Sequence, residues 1–344
     1  MKLKYTMMIT LIVTILFTGC NQNSTGPEGA DYSASFEKVW NDVDSNYSYF
    51  IHKQIDWDDV KIRYEPLARS PATYDFFIND ILKCMLGELH DLHVSIQDKD
   101  GHYIAPYTRD VFANYRFDSA FYSTYISGPV FTSDEYIACG SIHQTIGYVL
   151  IASWTSSSSG DVDEFLAMFD NEETRYENMT GLIIDVRPNG GGSDALAKKV
   201  ASRFADGTKT YEYVKYRNGP GHDDFTALQA LSFSPAGPWQ YTGPVALLIG
   251  EKCMSSNESF ILMMSTLDHV TTIGDTTGGS SGNPGEFSLE DGTTYRISRW
   301  ISYKPDMTIL EDTGIYPDIP VAETASLVNG RDMVLEKAIE ILQQ

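Results

Sequence analysis

The segment EKCMSSNESF, residues 251–260, follows an apolar run and holds two adjacent serines, an asparagine and a glutamate. Ser255 stands where a strand-like stretch, VALLI, gives way to a helix-like one, NESFILMMSTL. A hydroxyl at such a junction has two uses. As an N-cap it accepts a backbone N–H, and Ser255-x-x-Glu258 has the capping-box spacing. As a nucleophile it is lifted above the sheet edge, beside unpaired N–H groups and the positive end of a helix. The local sequence leaves both uses open.

A second segment, DVRPNGGGSD (185–194), puts Gly190, Gly191 and Gly192 after a buried-strand pattern. Consecutive glycines cost backbone entropy unless the chain must take positive φ or approach something closely. One reading is an oxyanion hole, with a glycine N–H aimed at developing negative charge. The other is a tight turn into the next helix. The spacing is not that of a phosphate loop. A base for the hydroxyl has to come from the seven histidines. His90 and His93 in LGELHDLHVSI lie where a helical period gives way to an extended one, a place where a lone histidine is often only structural. The others sit in polar or mixed contexts.

These residues need elements to position them. Phe36, Val39, Trp40 and Val43 recur at helical spacing, as do Phe76, Ile78, Ile81, Leu82 and Met85. Residues 34–92 therefore read as an N-terminal helical subdomain, with DWDDV as a helix start. Residues 93–145 read as a small strand-rich linker. From 146 onward, IGYVLIASW, GLIIDVRP, VALLIG and HVTTIGD are buried-strand patterns separated by helical ones, which argues for an α/β region with crossovers. DTTGGSSGNPGEF (275–287) reads as a long flexible loop, either one that flanks Ser255 and orders over a substrate or an ordinary surface loop, and YRNGPGHDD (216–224) as a hairpin or loop. GRDMVLEKAIEILQQ closes the chain as an amphipathic helix.

The 344 residues carry a formal charge of −22. That balance argues against nucleic acid as a partner, because phosphate binding needs clustered Lys and Arg. MKLK, an apolar run and FTGC have the plan of a secretory signal. The cysteine after TG resembles a bacterial lipoprotein signal over 1–19, with Cys20 as the lipidated residue and 20–33 as a flexible tether. The expectation is a lipid-anchored protein of the bacterial envelope, at the outer membrane. Cys84, Cys139 and Cys253 remain, an odd number that completes no disulfide framework. No Cys-x-x-Cys or His-rich cluster suggests a metal, and no cofactor is expected.

The order of these pieces from about residue 35 to 342 resembles the C-terminal processing, or tail-specific, serine peptidase family. FEKVW, DWDDV, LGELHDLHVSI, IGYVLIASW, GLIIDVRPNGGG, VALLIGEKCMSSNESF, TIGDTTGG and GIYPDIPV carry the resemblance. It implies a mixed α/β fold with a crotonase-like ββα catalytic core over 146–344. It implies Ser255 as nucleophile, three residues before Glu258, and an oxyanion hole from Ser256 N–H and that of Gly190 or Gly191. Many members place a lysine base twenty-five residues after the serine; that position is Ser280 here, so the Ser–Lys branch is excluded. The branch resembling the tricorn protease core implies His93 as base and Glu311, in EDTGIYPDI, as the group that fixes the imidazole. That branch has a serine before its histidine, where this chain has Leu92. Glu311 then needs a hydrogen-bonding partner from elsewhere, Ser95 or Ser280. Only about 50 residues separate His93 from IGYVLIASW, too few for the PDZ module that many members insert.

The implied activity is hydrolysis of peptide bonds in peptides or unfolded proteins through a Ser–His–Glu triad. Two other readings fit the altered CMSSNE segment and Leu92. One is a catalytically inert, family-like lipoprotein that binds peptides or apolar ligands. The other is an esterase using the same nucleophile. Retention of Ser255, His93 and Glu311 together favours the peptidase.

Overall fold

The computed structural model describes residues 29–69, 72–115, 123–321, 327–328 and 330–344. Cys20, with the signal and most of the tether expected around it, lies outside the described residues. The centre is a seven-stranded sheet. From one edge to the other it runs Ile319–Pro320, Val270–Gly274, Val245–Ile249, Gly181–Asp185, Ile146–Ile151, Ile137–Ile142 and Ser127–Phe131. The first five are mutually parallel, and the last two pair antiparallel. GLIID and VALLI are buried at every position, which is why they read as unbroken apolar runs rather than alternating ones. The mixed α/β class expected from the sequence is what forms.

Helices cover both faces. Ser159–Asn171, Asp194–Ala201 and Ser256–Ser265 pack one face through Phe165, Phe169, Val200, Phe260 and Met263. The closing helix Met333–Leu342 packs the other through Val334, Leu335, Ala338 and Leu342. Parallel neighbours send their following loops out of the same sheet edge. Gly181–Asp185 and Val245–Ile249 are such neighbours, so the glycine loop and the Ser255 turn emerge side by side.

The N-terminal helices, Ser33–Asn46, Phe50–Lys53, Trp57–Ala68 and the helical run from Tyr74 to Gly87, make a core of their own. That core also takes in Tyr295, Ile297 and Ile301 from near the other end of the chain. The link is a four-stranded antiparallel sheet, Gly285–Ser288, Thr294–Ile297, Ser95–Gln97 and Tyr103–Ile104. Residues 93–145 thus divide between two sheets, and the strand just after His93 is pinned to Thr294–Ile297.

Two expectations change. The spacing over 76–85 puts Phe76 inside, yet Phe76 is exposed and Phe77 is buried. Phe77–Leu82 is a π-helical turn; its wider i→i+5 bonding breaks the 3.6-residue register on which the reading rested. The stretch 275–287 is not a free surface loop either, because Thr277 to Gly282 are buried.

Arg187, directly after the central strand, is fully buried between two carboxylates. It donates to Asp185 at 2.9 and 2.6 Å and to Asp332 at 3.0 and 2.8 Å. Asp332 in turn caps the closing helix through the Val334 and Leu335 amides. Removing one member of a buried ion pair strands the others, at a cost of about 3–5 kcal/mol. Arg187→Ala is expected to lower the unfolding free energy by about that amount in a denaturant titration. A loss below about 1 kcal/mol would refute this account of the pair.

Candidate active site

Ser255 occupies the turn between Val245–Ile249 and Ser256–Ser265 and is the helix N-cap. Its backbone has φ 56° and ψ −133°, a region that side-chain-bearing residues avoid, at a cost of about 1–3 kcal/mol. Hydrogen bonds on both sides hold it there. Its N–H donates to Ser280 O at 2.8 Å and to Glu258 Oε2 at 3.2 Å. Its C=O accepts from the amides of Glu258 at 2.7 Å and Ser259 at 3.2 Å. The capping-box partnership between Ser255 and Glu258 predicted from the spacing is present.

Glu258 does more than cap. It is fully buried and also accepts from Thr277 Oγ1 at 2.5 Å, Gly279 N at 2.8 Å and Ser280 N at 2.9 Å. Burial pushes its carboxyl up to about 7, against the pull of those donors. One side chain thereby joins the start of the helix to the 275–287 loop.

The glycine loop closes the other side. A side chain at Gly191 would put its Cβ 2.7 Å from Ser255 Cβ and 2.8 Å from Met254 O, and Gly191 sits at φ +106°. Only glycine fits. The Gly191 N–H donates to Asn189 Oδ1 at 2.9 Å. That leaves the amides of Gly190, which is exposed, and of Ser256, at the first turn of the helix; both residues line the cavity. Asn257 locks the two loops together. Its Nδ2 donates to Val186 O and Asn189 O at 3.0 and 2.9 Å, and its Oδ1 accepts from Trp154 Nε1 at 3.0 Å.

Ser255, Ser256, Gly190, Gly191 and His93 line one cavity of about 510 Å³. The His93 ring is oriented by Ser280, whose Oγ lies 2.9 Å from Nδ1. The fully buried Asp91 accepts the His93 backbone N–H at 2.8 Å and stands 3.9 Å from Nδ1. Burial lowers the imidazole's pKa below its ordinary value, partly offset by Asp91, so the ring is neutral at neutral pH. With Nδ1 turned to Ser280, Nε2 is the nitrogen left to take a proton.

Glu311 differs from expectation. Among the described residues the hydrogen-bond partner of the ring is Ser280 rather than Glu311. Glu311 Oε2 accepts the Ser281 N–H at 2.8 Å, and Oε1 lies 3.2 Å from Lys53 Nζ. Burial, then Asp91, raises its carboxyl well above the usual range. Burial works against the Lys53 ammonium, but Glu311 and Asp312 outweigh it and its pKa is raised. Glu311 therefore props the loop that carries Ser280. Lys53 and Asn257 had no signal in the sequence, because each acts across tens to hundreds of residues, and Asp91, though only two residues from His93, is not singled out by it. Ser95, the other serine considered, lies in a strand paired with Arg296.

The sequence model described as peptidase family S41 matches residues 145–321, and that of the tricorn protease C1 domain matches residues 29–87. The crystal structure of a putative peptidase from Parabacteroides merdae superposes with a TM-score of 0.77 at 30% identity, covering 92% of this chain and 98% of that one. Mature CPAF complexed with lactacystin shares the fold, with a TM-score of 0.63 at 11% identity, over 91% of this chain and 97% of that one. The carboxy-terminal processing protease CtpB of Bacillus subtilis (strain 168) is 22% identical over 179 residues, 52% of this chain and 34% of CtpB. The chain thus spans about a third of the length of that curated relative.

If the Ser255 backbone is strained, Ser255→Gly should be more stable than Ser255→Ala by about 1 kcal/mol, despite glycine's larger unfolded-state entropy. Parallel urea titrations of the two variants measure this. Equal or reversed midpoints would mean that the turn is unstrained.

Proposed function

This chain belongs to peptidase family S41, and we propose that it is a serine peptidase with Ser255 as nucleophile and His93 as general base. The observation that carries this reading is the shared cavity: a serine held at positive φ on a helix start, a neutral imidazole and a glycine loop all face it. Ser255 Oγ attacks the scissile carbonyl carbon while His93 Nε2 takes its proton. The carbonyl oxygen becomes an oxyanion between the amides of Ser256 and Gly190, with Gly191 setting the close approach. Collapse breaks the C–N bond, and the leaving amine takes the proton from His93. Water, deprotonated by the same nitrogen, then hydrolyses the acyl-enzyme.

In this scheme Ser280 Oγ accepts a hydrogen bond from His93 Nδ1–H and fixes the tautomer. Glu311, with Lys53 beside it, supports Ser280 through the Ser281 amide. The substrates are peptides or unfolded proteins. The lipidation site at Cys20 and anchoring to a bacterial envelope membrane belong to the same proposal. They rest on the leader sequence, and mass spectrometry of the N-terminal peptide from cells tests them. An unmodified N-terminus, or a chain that begins elsewhere than Cys20, would reject the anchor.

The test of the chemistry is cleavage of an unstructured protein, read by mass spectrometry of fragments. Ser255→Ala is expected to lose on the order of a million-fold in kcat, with His93→Ala of comparable size. Ser280→Ala is expected to lose about tenfold or more while remaining folded. The acid limb of kcat/KM has a worked sign. A base whose pKa is lowered stays neutral further into acid, so the inflection falls below about 6.5, the ordinary imidazole value. Cleavage that survives Ser255→Ala would overturn the assignment, and so would a profile flat from about pH 4 to 8.

A further inference from the structure

The cavity wall away from His93 contains a carboxyl that the reaction scheme leaves unused. Glu212 lies on the strand Lys209–Tyr216 and is 1% exposed, yet it lines the same cavity as Ser255. Its Oε1 accepts from Ser302 Oγ at 2.5 Å and its Oε2 from Ser259 Oγ at 3.2 Å. Ser259 is one helical turn beyond the nucleophile. Among the described residues Glu212 has no ion-pair partner, and Asp194 lines the cavity beside it. Burial pushes the Glu212 carboxyl up to about 7, and Asp194 and Glu258 push the same way. A carboxyl bonded only to hydroxyls in a buried wall is costly, and an apolar residue would pack there at no such cost. The carboxylate oxygens keep lone pairs that two hydroxyls do not exhaust.

The positive charge of the cavity lies at the other end. Arg296 lines it on the His93 side, where its charge bears on the imidazole. The largest influences on Glu212 are burial, Ser302, Asp194, Ser259 and Glu258, none of them a cation. The site is therefore polarised, with an acidic wall below the nucleophile and a guanidinium near the base. The −22 charge of the chain adds a long-range pull on cationic peptides.

We propose that Glu212 selects substrates with a lysine or arginine side chain flanking the scissile bond, its carboxylate receiving the cation inside the cavity. The inference rests on the peptidase reading of that cavity and specifies the substrate class. A Lys or Arg entering beside Ser259 completes an ion pair that the folded chain lacks. A neutral side chain of the same length leaves the carboxyl unpaired.

The experiment uses the Ser255→Ala protein, which cannot turn over ligand, and fluorescent alanine peptides with one lysine or one norleucine at each position in turn. Binding is read by anisotropy at about pH 8, above the raised value of the carboxyl. In one register the lysine peptide is expected to bind about tenfold or more tighter than its norleucine counterpart. The preference is expected to vanish in Ser255→Ala/Glu212→Gln. Equal or absent binding of the lysine peptide in every register overturns the inference, as does a preference that survives Glu212→Gln. The comparison within Ser255→Ala does not depend on the second variant folding. Cleavage of the same peptides by the wild type reports separately on the peptidase reading. Cleavage without lysine preference leaves the peptidase and removes the acidic selector; lysine preference without cleavage does the reverse.

Discussion

A single buried carboxyl holds the site together. Glu258 accepts hydrogen bonds from Ser255, Thr277, Gly279 and Ser280. Leaving such a group short of donors costs more than each bond returns, so the four partners are placed together or not at all. Two consequences follow. Ser255 is held at positive φ, because its amide is committed to Glu258 and to the Ser280 carbonyl together. Ser280 is held where its hydroxyl meets His93, because its own amide is committed to the same carboxyl. Ser255, the proposed nucleophile, and Ser280, which orients His93, are thus two ends of one hydrogen-bonded unit.

Around that unit the fold brings together distant parts of the chain. Ser280 and His93 are 187 residues apart, and the Thr294–Ile297 pairing with Ser95–Gln97 is what lets them meet. The N-terminal helices contribute Lys53, which reaches the Glu311–Asp312 pair and the His90 carbonyl. Thr277 and Ile315 exchange two hydrogen bonds, backbone to backbone from Thr277 N–H to Ile315 O and backbone to side chain from Ile315 N–H to Thr277 Oγ1. Asp312 N–H donates to Gly279 O. The Glu311 segment and the Ser280 loop are therefore laced along their length. The helical region is part of the site's support, since it supplies Lys53, 3.2 Å from Glu311, and leads directly into His93.

The electrostatic arrangement suits a base that has to be neutral. Burial disfavours imidazolium, Arg296 and Lys53 push the same way, and Asp91 opposes them. Had Glu311 been ionised and bonded to the ring, it would have raised the imidazole's pKa. Ser280 orients the ring without adding charge, which leaves burial dominant.

What the sequence determined by itself were features carried by nearby residues. The buried strands GLIID and VALLI, the Ser255–Glu258 cap and the glycines beside Ser255 all follow from local period or spacing, whereas the proposed role of Ser255 as nucleophile rests on the family resemblance. Even locally the reading failed at Phe76, where a π-helical turn shifts the face, because periodicity assumes one helical pitch. Only the tertiary structure decided that Ser280 rather than Glu311 meets His93. It alone decided that 275–287 is buried and that Glu212 faces the cavity. Each of these depends on strand pairings and carboxyl bonds between segments far apart in the chain. Their free energy exists only once the sheets have formed, so nothing in the adjacent residues records it.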